Sequence, residues 1–535
     1  MKDNDLFDFE FDKNENCWSV TGYYGKGEEV IFPASYKNKP VKQIACDFFP
    51  NQKKRIKRVT IPEGCTSIGK STFSDCTKLK SIELPKSLTS IGTWAFYGCK
   101  GLTSIKLPEN LTSIGKRAFN GCTGLTSIEL PESLTSIGES AFNDCTGLTS
   151  IELPEGLTSI EGCVFDGCTG LTKIKFPKSL ISIGDRTSPK AMLKDGRGFS
   201  TFAGCTGLSN IELPEGLTLI GERAFDDCTG LTNIKLPKSL TYIGEEAFRG
   251  CTGLTNIKLP ENLTCIEDNA FKDCTGLINI KLPKSLTYIG DGVFIGCKNL
   301  IEITVDKDNL AYCAVDSVIF DKAMTTLLWF PDGKKGRYSV PDGITGINFD
   351  DAFGNNCNLT DISFPKSLLY IEPYLLNQIS GKLTNITVNE LNPAFCSIDG
   401  VLFDKHKCGL ILYPKNKSKT TYIIPDGVQY IDDNAFDGCK HLVNIVLPES
   451  IRYIGNRAFD DCKRLKTITL SNKLRYARET GCKRLKTVTL SDRLRYAKEY
   501  AISKHTKLTT VLLSGSPIIE RWAFEGFEGQ FVYRD

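Results

Sequence analysis

From Leu102 the chain reads LTSIKLPENLTSIGKRAFNGCTG, and from Leu125 it reads LTSIELPESLTSIGESAFNDCTG, with every apolar position kept. The copy from Leu148 keeps them again, so the period is 23 residues. Within a copy, Ile105 and Leu107 alternate with polar neighbours, which is the period of a strand. Pro108 then removes a backbone donor and ends it. A second short extended segment, LTSIG, closes on a glycine suited to a turn. The AFxxC that follows predicts a short helical or 3₁₀ turn that places Phe inward. That Phe recurs from Phe73 to Phe294 and again at Phe436 and Phe459, each followed three residues later by Cys. One such rung has no second layer to bury its apolar face against; a stack of rungs has. The pattern predicts a mainly β, curved, right-handed solenoid of parallel strands and short helical turns, with roughly 17 or 18 rungs about 4.8 Å apart.

The period divides the chain. Residues 1–55 read as an N-terminal cap and a degenerate first rung, and 56–302 as regular rungs. A 14-residue insertion, within 185–200, interrupts one of them. Residues 303–435 hold an irregular unit present twice: Val305 and Val388, Asp316 and Asp399, and Pro331 and Pro414 are each 83 apart. Residues 436–535 return to the repeat, then shorten to 20-residue rungs that lose the inward Phe.

The motif LxxIxLPxxLxxIGxxAFxxCxxL resembles the BspA-like, or Treponema-type, leucine-rich repeat family, over about Val30 to Phe524. The irregular segments Ile303 to Ile344 and Ile386 to Val428 resemble the interrupted rungs of that family. The resemblance implies a leucine-rich repeat solenoid without catalytic residues or cofactors. It also implies adhesion, with a host or matrix protein as partner and a surface or secreted location.

Alternation then names candidate contact residues. After the buried Ile of LxxIxLP, Glu83, Lys106, Glu129, Glu152 and Lys175 vary in sign, whereas Lys235, Lys258 and Lys281 stand on consecutive rungs. These three lysines read as an uncompensated stripe facing an anion, or as a solvated face. Tyr242, Tyr288, Tyr370, Tyr430 and Tyr453 precede the Ile of the second segment, where early rungs have Ser. They read as interface anchors or as cross-strand packing. The insertion carries Arg186, Lys190, Lys194 and Arg197, and is either a binding loop or a tolerated one. The strongest asymmetry lies between Lys463 and Lys507, with 14 Lys and Arg against 3 Asp and Glu. Lys463, Arg464, Lys483 and Arg484 head this basic end, which suits a polyanion or caps an open sheet edge.

Composition narrows the chemistry. The net charge of +3 means that the rest of the chain carries −8 once the local +11 is removed, so bulk electrostatics names no partner. His406, His441 and His505 stand in three different contexts, and no nucleophile-elbow, metalloprotease or phosphate-loop motif occurs. Carboxylates sit at repeat-equivalent surface positions, as in a scaffold. The 22 Cys fall mostly one per rung, so they read as an inward ladder of small apolar side chains. The nearest pair, Cys163 and Cys168, has no histidine nearby to complete a metal site. Free thiols in that number fit a reducing compartment. The acidic start MKDNDLFDFEFDKNEN is no leader, and no stretch of about 18 apolar residues occurs. Three functional classes follow: an adhesin-like protein-binding array, an intracellular scaffold or effector with a basic C-terminal surface, or a structural array that stacks or assembles through the edge its shortened terminal rungs leave. Oligomeric state is not legible.

Overall fold

The computed structural model describes residues 6–47, 50–184, 200–347, 352–353, 358–371 and 382–469, with short strands at 476–477, 487–490, 510–514 and 530–534. The chain is a β-solenoid of two compact units, Met1–Ala311 and Tyr312–Asp535.

Each regular rung of the first unit holds two strands. The first, such as Ser104–Lys106, buries its central Ile and exposes both neighbours. It pairs in parallel and in register with the next rung, Ser104 on Ser127 and Lys106 on Glu129. The second, such as Ser113–Ile114, pairs with Ser90–Ile91 and Ser136–Ile137. Register is strict because a one-residue slip would turn every Ile out to water.

The Phe–Cys segment differs from the expected short helix. Cys122 N–H bonds back to the Phe119 carbonyl at 3.1 Å, as a single turn would. Phe119 and Gly121 N–H, however, donate at 2.8 Å to Ala141 and Asn143 of the next rung. Arg117 and Gly121 adopt φ of 55° and 71°, outside the helical region, which frees those donors. The segment is a run of turns carrying a third inter-rung ladder.

That ladder fixes the core. From Phe73 to Phe294 the rings stack at centroid spacings of 5.1 to 5.9 Å, nearly coplanar. All are buried, among the repeat Leu and Ile side chains. Each buried Phe contributes roughly 2–3 kcal/mol of transfer free energy, and the offset stack about 1 kcal/mol more. The insertion does not break the stack: Phe165 and Phe202 remain 5.3 Å apart, and Ser182–Ile183 pairs directly with Leu219–Ile220.

One turn position obeys a rule not legible in the repeat alone. Asp75, Asp144, Asp227 and Asp273 adopt left-handed φ of 53° to 59°. The next rung carries Gly at the same place each time: Gly98, Gly167, Gly250 and Gly296. A Cβ on any of these glycines would lie 2.1 to 2.7 Å from the Asp Oδ1 above it.

The N-terminal cap is an antiparallel hairpin, Phe7–Asp12 against Cys17–Tyr23. Asp8, Glu10 and Asp12 point outward from this edge strand, where charge discourages further pairing. In the second unit the duplicated segments are antiparallel meanders. Tyr312–Val315 pairs with Val318–Asp321, and Phe395–Ile398 with Val401–Asp404. Their two-residue turns, Asp316-Ser317 and Asp399-Gly400, have positive φ throughout, as tight hairpins require. Buried Asn309 and Asn392 repeat the same device. Each amide donates to two carbonyls of the preceding rung, Pro283 and Leu286 or Pro365 and Leu368, at 2.8 to 2.9 Å.

Candidate functional site

Strand alternation gives each unit a first-strand face of outward side chains. In the first unit this face carries a column of charges, and most of its cations are paired. Lys175 bonds Glu152, Lys235 bonds Glu212 at 2.9 Å, and Lys281 bonds Asp306 at 3.0 Å. The expected uncompensated stripe is therefore corrected: Lys235 and Lys281 are neutralised by the rung before or after them. Among the described residues only Lys258 of the three has no ion pair. Lys235 is held above and Glu212 below its ordinary pKa by their mutual hydrogen bond.

Two depressions open on this face. One, of about 810 Å³, is lined by Ser127, Glu129, Ser150, Glu152, Lys173 and Lys175, among others. The second, of about 480 Å³, includes Glu83, Lys86, Lys106 and Asn110. The face is thus polar, mixed in sign and recessed.

The tyrosine column lies on the second strands. Tyr288 and Tyr370 are about half exposed, at 47% and 49%, while Tyr242, Tyr430 and Tyr453 are half-buried. Register places Cys265 between Tyr242 and Tyr288, and Tyr453 between Tyr430 and Tyr476. The Tyr430 hydroxyl donates to Asp404 at 2.8 Å, so this tyrosine ties the meander to the next rung. Beside the column, Glu222, Glu245, Asp268 and Asp291 occupy one position on four successive rungs. Burial, with Glu222 and Asp268 as neighbours, raises the Glu245 pKa. This acidic column was open to the same column-by-column reading and was overlooked there.

Arg186, Lys190, Lys194 and Arg197 of the insertion lie outside the described residues, as do Lys483 and Arg484. Lys463 and Arg464 are exposed, and Lys463 reaches Asp461 at 3.5 Å.

The cysteine ladder faces inward. Beyond filling space, the thiols from Cys99 to Cys297 donate to the Phe carbonyl one rung back, for example Cys99 to Phe73 and Cys122 to Phe96, at 3.1 Å. That role needs the rung-to-rung geometry and has no trace in composition. Burial pushes the thiols up, Cys76 and Cys122 to about 12, so they stay protonated and unreactive. Among the described residues no group of three or more His, Cys, Asp and Glu is placed to hold a metal ion. No described helix is long and apolar enough to cross a membrane. The most perturbed carboxyl is Asp226, 8% exposed, which burial pushes up to about 6 against the pull of Arg249 at 3.4 Å. Its Oδ1 has no hydrogen-bond partner among the described residues.

Comparison with known proteins agrees with this architecture. The family described as "BspA type Leucine rich repeat region (6 copies)" matches residues 42–148, 135–189, 198–321, 337–409 and 412–529. Among solved structures, a leucine-rich repeat protein from Bacteroides ovatus is 23% identical over 94% of this chain and 98% of its own, with a TM-score of 0.46. A leucine-rich repeat protein of T. pallidum is 29% identical over 38% of this chain and 88% of its own, with a TM-score of 0.32. A leucine-rich cell surface protein from Faecalibacterium prausnitzii is 19% identical over 99% and 93%, with a TM-score of 0.26. No curated protein matches.

Proposed function

The chain belongs to the BspA-type leucine-rich repeat family, whose arrays are protein-interaction repeats, and on that premise we propose that it holds a protein partner along the first-strand face of its regular rungs. The observation that carries this reading is the face itself: a column of mixed charges, largely ion-paired, beside recesses of about 810 and 480 Å³. Exposed pairs of this kind add little stability, so their placement serves recognition better than folding. Lys106 and Lys258 are the cations on this column without an ion pair among the described residues, and they are left for partner carboxylates. Ser127, Ser150 and Asn210 supply hydrogen-bonding groups along the larger recess. The array has the character of a binding surface, and we read it as non-enzymatic.

The adhesin-like form of this reading, with a host or matrix protein outside the cell, follows from the family resemblance. The scaffold form, inside a cell, is favoured by the buried, free thiols on successive rungs. Antibody labelling of intact and permeabilised cells separates the two. The binding face is tested by a photo-crosslinking side chain placed at Ser127, Lys258 or Glu245. Crosslinks from Ser127 and Lys258, with none from Glu245 on the turn edge, are expected. Crosslinks only from Glu245 would move the partner to the acidic column and sink the reading.

A further inference from the structure

The second unit keeps the repeat and changes what the first-strand face offers. Register runs without interruption through six strands, from Thr421–Ile423 to Gln530–Arg534. The column that holds Glu and Lys in the first unit here holds Ile423, Val446, Thr469, Thr489, Leu512 and Val532. Ile423 is 68% exposed, Val446 40% and Val532 37%. Two residues earlier, Thr421 and Gln530 are exposed and Asn444 and Thr467 half-buried, and all four are uncharged. Exposed β-branched side chains on neighbouring strands, with no charge between them, are unusual on a solvated sheet face.

Cations stand at the margin of this strip. Lys466 precedes the strand Thr467–Thr469, and its N–H bonds the Val443 carbonyl at 2.8 Å, which fixes it beside the Val446 rung. Arg464 and Lys463 are exposed in the turn before it. Of the basic excess between Lys463 and Lys507, Lys463, Arg464 and Lys466 are the cations that fall within the described residues.

We propose that this face of the second unit binds an acidic polypeptide that also carries apolar side chains. The proposal rests on reading first-strand faces as partner-binding faces, and it names the partner class for the second unit. Charge complementarity selects an acidic partner, and the apolar column selects among acidic partners. A nucleic acid or sulfated glycan would engage the cations and leave Ile423 and Val446 without contact. A bilayer would meet the long Lys and Arg side chains before the short Ile and Val reached hydrocarbon. An extended chain can lie on the sheet floor, with apolar groups on the column and carboxylates toward the rim.

Titration of the full chain with poly-(Glu,Tyr) and with poly-Glu, followed by fluorescence anisotropy, tests this. Tighter binding of poly-(Glu,Tyr) is expected. The double variant I423T/V446T keeps β-branched shape and should weaken poly-(Glu,Tyr) about tenfold while leaving poly-Glu unchanged. The double variant R464Q/K466Q should weaken both and flatten their salt dependence. If I423T/V446T lowers the melting midpoint, I423T alone replaces it, because Ile423 is the more exposed of the two. Equal affinity for both polymers would overturn the proposal in favour of a plain polyanion site. Flotation with phosphatidylserine vesicles that is lost in I423T/V446T would overturn it in favour of a membrane surface, and self-association lost in that variant in favour of a second copy. The crosslinking experiment on Ser127 and Lys258 reads the first unit alone, so either result can fail without the other.

Discussion

The two units invert each other. In Met1–Ala311 the interior is uniform, a stack of near-parallel phenylalanines, while the outer column varies in sign from rung to rung. In Tyr312–Asp535 the outer column is bland, with Ser339, Ser363 and Thr387 in register before Ile423 and Val446. The interior there is irregular. Phe330 meets Tyr338 edge-on, Tyr413 meets Tyr422 edge-on, and Phe436 and Phe459 are 29° from parallel. The hydroxyls of Tyr338, Tyr413 and Tyr422 are buried with no partner among the described residues. Strand alternation lets the two sides of a rung diverge independently, because no side chain belongs to both.

The interior difference gives the largest effects. Phe119→Ala, with a ring stacked on each side, should cost about 4 kcal/mol. In calorimetry of the full chain, the transition of the first unit should move and that of the second stay. A common shift of both would mean that the units melt as one block. Gly250→Ala should cost about 2–3 kcal/mol, since its Cβ would meet Asp227 Oδ1 at 2.1 Å and its φ is +67°. Gly336→Ala, with φ of +90° and open space, should cost about 1 kcal/mol by denaturant titration, and equal costs would remove Asp227 from the explanation.

Tyr413→Phe should stabilise the second unit by about 1 kcal/mol, by deleting a hydroxyl that burial leaves unsatisfied. No matching substitution exists in the Phe stack of the first unit. The pH response of the first unit turns on one buried carboxyl. Asp226 keeps its proton up to about pH 6 in the folded chain, whereas the unfolded carboxyl releases it near 3.8. The folded state therefore binds more protons in that window, and stability falls as pH rises through it. Asp226→Asn should flatten this slope in melts between pH 4 and 6, and an unchanged slope would assign it to other groups. Least of all, Lys235→Gln should leave the melting midpoint of the first unit where it is, because Lys235 and Glu212 are 63% and 76% exposed and water screens the pair.

The interior was legible from sequence because burial acts on single positions: every Ile, Leu, Phe and Cys of the repeat points where its period places it. What stayed hidden depends on pairs of rungs. Lys281 looks unpaired until the next rung places Asp306 beside it. The thiol hydrogen bonds join residues 26 apart, and the turn at Phe119 was misread as helical because its donors serve the following rung. The meanders could have been found: Asp399-Gly400 between VLFD-like alternations is a hairpin signal. The acidic column and the uncharged second face are legible in sequence in the same way as the lysines, since each is a fixed position of the repeat.

The Asp-over-Gly turns bear on how such a chain changes length. Tandem near-identical segments gain and lose copies by unequal recombination, and sequence likeness alone would let any copy be exchanged. Here removal of the segment bearing Gly250 would seat Asp273 on Asp227, while removal of the one bearing Asp227 would seat Gly250 on Gly204. The first exchange forces the Asp227 carboxylate to move aside, and the second asks for no such movement. The turns therefore make some deletions costlier to the fold than others that look identical at the level of the repeat.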